Sequence, residues 1–341
     1  MNHNTNHMFK KVFSVAGITI ALCLVLLITA TWARGPYVLI NVLVTAGMLS
    51  IMALGLSLIF GVMNIGMFAH GEFFMVGSLV GYYFFAPVNN WLQSHPHAAI
   101  QFMAPLIGIL LAFLAGAIIG VVLEKLIFKP LRARSRENWI LNTFLVTLGI
   151  SVIMVNLHLM LFGSNFKGIV AYWPGPPLEI FDVFISRDRV AAVTLSLLTI
   201  VTFWLFMRFS RTGRAIRAVS QDETGALMVG INMPFILTLT MALSCGLAAL
   251  AGASLLFMYP AYPTVGLEPL YMAWFVVILV GMGNIMGSLL GAFMVAIFKV
   301  LTVEFIGAGW DFVIPTGFIM LVLIFKPSGI LGSEVRSILD Q

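Results

Sequence analysis

Charge is what this sequence has least of. Only 9% of its 341 residues are Asp, Glu, Lys or Arg, while 61% are hydrophobic. That leaves too little polar surface to wrap a water-soluble core and excludes an ordinary soluble domain. Cysteine is nearly absent as well. Cys23 and Cys245 stand alone in apolar runs, which excludes a disulfide framework and a cysteine-based metal site and leaves packing as their role. There is no Walker-type phosphate loop, so nothing in the chain specifies a nucleotide site. His70 and Glu72 are close in sequence but have no further ligand or nucleophile near them, and no residue cluster calls for an enzyme. The formal charge of +5 is assigned to membrane orientation rather than to nucleic-acid binding.

What is abundant is apolar sequence in long stretches. Runs at 12–31, 37–60, 73–86, 100–123, 138–162, 190–207, 235–258, 270–282, 285–305 and 312–325 approach or reach the roughly 20 residues that cross a bilayer. They predict an all-α, polytopic transmembrane bundle of eight to ten membrane segments, some short or broken, in one domain over 1–341. The first run is long for a signal peptide and Thr29-Ala30-Thr31 is a poor cleavage site, so it is read as a retained helix. Run 270–282 is either a short span or half of a re-entrant pair. With the amino terminus in the cytoplasm, alternation places Lys125, Lys129, Arg132, Arg134 and Arg136 on the same side as 208–217, Lys326 and Arg336, as the positive-inside rule requires. The acids Glu124 and Glu137 do not cancel that excess. Segments 86–99 and 163–189, with their prolines, read as external loops.

The longest polar interruption is 208–234. Arg208, Arg211, Arg214 and Arg217 recur every three residues, giving a basic stripe on a helix. Ser220 and Glu223 are spaced as a capping box, with Asp222 and Glu223 at the positive end of a second helix, and Gly230 is placed to stop it. The expectation is two short helices parted near Ser220, lying on the membrane or docking into a partner. The plainer alternative is a retained basic loop.

Other polar residues fall where the apolar runs break. Asn41, Asn64, His70 and Glu72 either line an aqueous route or form an internally hydrogen-bonded set that fixes the breaks. Gly61-Val62-Met63-Asn64-Ile65 is echoed by Gly281-Met282-Gly283-Asn284-Ile285, as in corresponding broken helices of a repeated bundle. Ala112, Gly116 and Gly120, and again Gly283, Gly287 and Gly291, have the four-residue spacing of close helix contacts. Lys299 and Glu304, near the outer half of their run, read as side chains that snorkel to the interface or pack within the bundle.

Four stretches carry a family resemblance: GLSLIFGVMNIGMFAHGEFFMVG at 55–77, RTGRAIRAVSQDETGALMVGIN at 211–232, VVILVGMGNIMGSLLGAF at 276–293 and FKPSGILG at 325–332. Together they resemble the membrane permeases of branched-chain amino-acid ABC importers, over nearly the whole chain. The wider family includes urea and amide importers, and Met67 stands where that pattern expects asparagine, which leaves the substrate open between a branched-chain or other small amino acid and urea or a short amide.

The resemblance implies a bacterial inner-membrane permease with both termini in the cytoplasm, a related second permease, two ATP-binding subunits that hold ATP and magnesium, and a soluble extracytoplasmic binding protein. It implies no cofactor in this chain. By the same likeness 208–234 is the coupling segment, carried by Arg211, Gly213, Arg214, Arg217, Ser220, Asp222, Glu223, Gly225 and Gly230. Asn41, Asn64, Phe68, His70, Glu72, Gly281, Asn284 and Gly287 are the candidates for the substrate route or its gate. An ion-coupled secondary transporter would also explain a broken bundle but gives no account of the docking-like segment. A structural or receptor subunit would need no continuous path.

Overall fold

The computed structural model of the protein describes residues 15–95, 97–134, 139–180 and 183–331. Arg136, Glu137 and Arg336, which entered the charge argument, lie outside the described residues.

The chain is a helical bundle built around one buried helix. After α1 (Val15–Arg34), α2 (Tyr37–Met63) is buried at nearly every position from Gly47 to Ile59. A helix apolar on all sides belongs inside a bundle, and α2 is enclosed by α7 (Arg187–Phe209), α10 (Met233–Ser254), α11 (Leu267–Val280) and α12 (Gly287–Phe305). The remaining long helices are α3 (His70–Ser94), α4 (Ala98–Leu123), α6 (Trp139–Phe162) and, at the end, α13 (Val313–Phe325). A π-helical turn at Glu124–Phe128 and a short α5 (Lys129–Arg134) extend α4. α1, α6 and α13 are the periphery, with Trp32, Met160 and Ile324 largely exposed.

Small residues set how closely the helices approach. A Cβ on Gly77 of α3 would lie 1.8 Å from the Ala249 carbonyl oxygen of α10, and one on Gly252 of α10 would lie 2.0 Å from that of Phe74. Glycines on both helices therefore let two backbones touch. The expected Ala112, Gly116 and Gly120 stripe is a contact face: Gly116 and Gly120 lie against Cys245 of α10, and Ala112 is buried.

Nine helices among the described residues are long and apolar enough to cross a membrane. The tenth, α11, has 14 residues, about 21 Å of helix. Its two connections lie at opposite ends of the bundle. Lys167 and Ala261 form a bridge before it, at the end where Tyr37 meets Glu304. After it, Gly283 touches Gly61, at the end where Trp139 bonds the Met63 carbonyl. The chain is a multi-pass membrane protein with nine helices of spanning length and one shorter apolar helix among its described residues, and Lys125, Lys129, Arg132, Arg134, the 208–217 arginines and Lys326 share one end.

Two loop expectations change. α3 continues through Pro87 to Ser94; the proline removes one backbone donor, but the helix on both sides keeps its own bonds, and most of the expected 86–99 loop is helix, with α4 beginning at Ala98. The 163–189 segment is ordered by Tyr172, whose hydroxyl donates to the Ala253 carbonyl at 2.6 Å, and by Asp188, whose Oδ1 accepts from the Tyr172 and Trp173 amides at 3.0 Å each. Burial and the Asp188 charge push the Tyr172 hydroxyl pKa up. The same segment holds a small hairpin, β1 (Leu178–Ile180) and β2 (Val183–Ile185), with Leu178 opposite Ile185.

Candidate functional site

The site begins where α2 stops. Asn64 ends the helix in the left-handed region, at φ 52 and ψ 39, where a short polar side chain is tolerated. Residues 65–69 then run outside either helix until α3 starts at His70. An irregular segment inside a membrane bundle needs its backbone groups satisfied by protein, and α6 does this with hydroxyls. Thr147 Oγ1 donates to the Gly66 carbonyl at 3.1 Å and accepts from the Phe68 amide at 3.4 Å. Ser151 Oγ donates to Glu72 Oε1 at 2.5 Å. On the other flank, His70 Nε2 meets the Met52 carbonyl at 3.2 Å and Ser244 Oγ donates to that of Gly55 at 2.7 Å.

These contacts separate the polar residues singled out in the sequence into groups. His70 and Glu72 are buried and bonded to neighbouring helices around the break. Asn64 and Phe68 instead open onto a cavity of about 1140 Å³ at the basic end, lined also by Phe60, Gly61, Gly66, Trp139, Phe144, Ser220, Trp274, Met282 and Gly283. Its walls are aromatic. Phe60 meets Trp274 edge-on with ring centroids 4.8 Å apart, and Phe68 lies 4.8 Å from Phe144 and 5.0 Å from Trp274. Trp139 and Trp274 were not anticipated, because a tryptophan inside an apolar run carries no signal of which way it faces.

The two echoed motifs meet at this cavity. Gly61 lies against Gly283, where an added Cβ would be 3.2 Å from the Gly283 carbonyl oxygen. Gly281 turns the chain after α11 at φ 109, and Asn284 Oδ1 accepts from the Gly287 amide at 2.9 Å, holding the start of α12. The 325–332 motif joins them: the Ile330 and Leu331 amides donate to the Leu279 and Val280 carbonyls at 2.7 and 3.0 Å. Asn41 lies elsewhere, at the opposite end of the bundle. Its Oδ1 accepts from Arg189 at 2.8 Å and its Nδ2 donates to Glu304 at 3.4 Å, while Tyr37 donates to the same carboxylate at 2.9 Å.

The 208–234 segment forms α8 (Arg211–Gln221) and α9 (Glu223–Met228). The boundaries correct the sequence reading in two respects. Arg208 ends α7, with its guanidinium over Trp204, so the stripe on α8 consists of Arg211, Arg214 and Arg217. Ser220 does not cap the second helix: it lies in the last turn of α8, where its hydroxyl donates to the Arg217 carbonyl at 2.9 Å. The capping serine is Ser210, whose Oγ accepts from the Gly213 amide at 2.8 Å. A Ser-x-x-Glu spacing caps only where a helix starts, and here α8 runs on to Gln221 before restarting after Asp222.

α8 is strongly two-faced. Gly213, Ile216 and Val219 are buried, and Arg211, Arg214 and Arg217 are exposed. Gly213 lets the helix fold tightly beneath α7, since a Cβ there would stand 2.4 Å from the Phe206 carbonyl oxygen. On α9, Asp222, Glu223, Leu227, Met228 and Val229 are exposed, Gly225 lies beside the Asp222 carboxylate, and Gly230 terminates the helix at φ 81. The Gly230 and Ile231 amides bond the Leu227 and Ala226 carbonyls, the Schellman arrangement. Charged and apolar side chains therefore face outward side by side, a surface suited to protein contact.

Comparison with known proteins adds a second line. The family described as "Branched-chain amino acid transport system / permease component" matches residues 38–325. The chain is 28% identical to the high-affinity branched-chain amino acid transport system permease protein BraD of Pseudomonas aeruginosa, covering 86% of this chain and 94% of that protein. It is 26% identical to the corresponding LivH of Escherichia coli K12, covering 83% and 91%, and 23% identical to the probable branched-chain amino acid transport permease protein LivM of Methanocaldococcus jannaschii, covering 78% of each. No solved structure matches.

Proposed function

The chain belongs to the branched-chain amino acid transport permease family, and from that premise we propose that it is the permease subunit of an ATP-driven importer that carries branched-chain or other small amino acids across a bacterial inner membrane. The basic end, with α8 and α9, faces the cytoplasm together with both termini. Two ATP-binding subunits dock there and hold ATP and magnesium. A related permease completes the route, and a soluble binding protein delivers the substrate at the opposite end.

One observation carries this reading: Ser220, on the two-faced helix α8, lines the same cavity as Asn64, Phe68 and Trp274. A displacement of α8 by a partner is felt directly at the cavity wall. The buried face of α8, set against α2 and α7, passes such a displacement to the helix whose end forms the break. The cavity's aromatic lining gives an apolar side chain a favourable surface, and Asn64 supplies a polar group at its edge. Because the walls hold no charge among the lining residues, a solute is passed rather than retained, and the separate binding protein supplies most of the selectivity.

The test is reconstitution of the whole assembly in proteoliposomes with its binding protein and ATP inside, following labelled leucine, isoleucine, valine and urea. Uptake of the three amino acids that stops when the ATPases are inactivated is the expected result. Uptake of urea alone would overturn the substrate, and uptake that persists with inactive ATPases would overturn ATP coupling.

A further inference from the structure

A second charged cluster lies in the half of the bundle away from the cavity. Lys299 is twelve residues into α12 from Gly287, about 18 Å along the helix, and is buried. Its ammonium donates to Glu268 Oε1, in the first turn of α11, and stands 3.9 Å from Asp311 Oδ2 in the α12–α13 connection. An ionisable group at this depth is costly to bury and is kept where it has a partner or a task. Here the count is uneven, since two carboxylates face one ammonium. Both carboxylates are also open, with side-chain exposures of 45% for Glu268 and 30% for Asp311 against 9% for Lys299.

Beside the charges is an apolar patch from the same two elements. Tyr271 and Phe275 follow Glu268 at helical spacing on α11, and Phe312 follows Asp311 directly. The Phe312 ring lies 6.1 Å from Tyr271 and 5.4 Å from Phe275. The arrangement offers one buried cation, an excess of accessible carboxylate and an aromatic surface next to both.

Resting on the importer reading above, we propose that Lys299, Glu268 and Asp311, with Tyr271, Phe275 and Phe312, form a transit site for the zwitterion of an α-amino acid with an apolar side chain. The substrate carboxylate takes the Lys299 ammonium, the substrate ammonium takes Asp311 and Glu268, and the side chain lies on the aromatic patch. The exchange conserves charge: each ion leaves one opposite charge for another, so no ion is left unpaired at this depth. When the substrate moves on, the Lys299–Glu268 pair closes again. A neutral amide gains nothing by displacing that pair.

Saturation-transfer NMR on the intact assembly in nanodiscs, without the binding protein, tests this with leucine, isocaproate (no ammonium) and isoamylamine (no carboxylate) as probes. Leucine is expected to bind about tenfold more tightly than either analogue, the scale of one charge-assisted hydrogen bond. Asp311→Asn keeps the Lys299–Glu268 pair and so the fold. It should weaken leucine about tenfold and shrink its advantage over isocaproate, while co-elution of all subunits on size exclusion shows the assembly intact. Glu268→Gln should act in the same direction, and where it fails to assemble Asp311→Asn decides alone. Wild-type leucine affinity and discrimination in Asp311→Asn, in an assembly that carries leucine, would overturn the site alone. An assembly that carries urea and not leucine would overturn the importer reading beneath it.

Discussion

At the scale of single residues, the bundle depends on positions where a side chain has no room. Gly77 is the severest of them on α3, because any Cβ there collides with the Ala249 backbone of α10, and backbone cannot move aside as a flexible side chain can. Gly77→Ala should therefore destabilise the purified protein by about 1 to 3 kcal/mol in reversible detergent unfolding, by forcing α3 and α10 apart. Gly149, in the middle of α6, meets nothing within 4 Å, and Gly149→Ala should raise stability by about 0.5 to 1 kcal/mol by removing helical glycine. Equal effects at the two positions would contradict the packing described. Four-residue spacing flagged Gly116 and Gly120 in the sequence, because periodicity is local information. It could not flag Gly77 and Gly252, whose contact pairs residues distant in the chain.

At the scale of elements, most helices were legible because length and hydropathy alone define a membrane crossing, and the breaks were legible because glycine and asparagine interrupt apolar runs. What failed was end chemistry. Pro87, Asn89 and Asn90 have loop composition, yet α3 passes through them; Ser220 has capping spacing, yet Ser210 does the capping. The pairing of Lys299 with Glu268 spans 31 residues and has no local signature, so the lysine read as either snorkelling or packing, with no partner named. The cap assignment separates cleanly by mutation. Ser210→Ala should cost about 0.5 to 2 kcal/mol by leaving an α8 amide unpaired, seen as faster amide exchange at the start of α8. Ser220→Ala should leave that exchange unchanged, since its hydroxyl only doubles a bond to a carbonyl within the same helix.

At the scale of the whole molecule, two helix breaks and the amphipathic α8 converge on one cavity, although 61–65, 281–285 and 208–234 are far apart in sequence. The family motifs lay on these stretches without showing that they touch, because contact between distant segments is a property of the packed bundle. The central claim is that α8 transmits the state of an ATP-binding partner to this cavity. It is tested most directly by placing a single cysteine at Phe68 in a variant with Cys23 and Cys245 replaced by alanine, and measuring its labelling by a small aqueous thiol reagent in the active assembly. The account predicts that trapping the ATPases with bound nucleotide changes the labelling rate about tenfold or more, and that replacing 208–234 by a neutral linker abolishes the change. A rate independent of nucleotide in an assembly that still transports would contradict it.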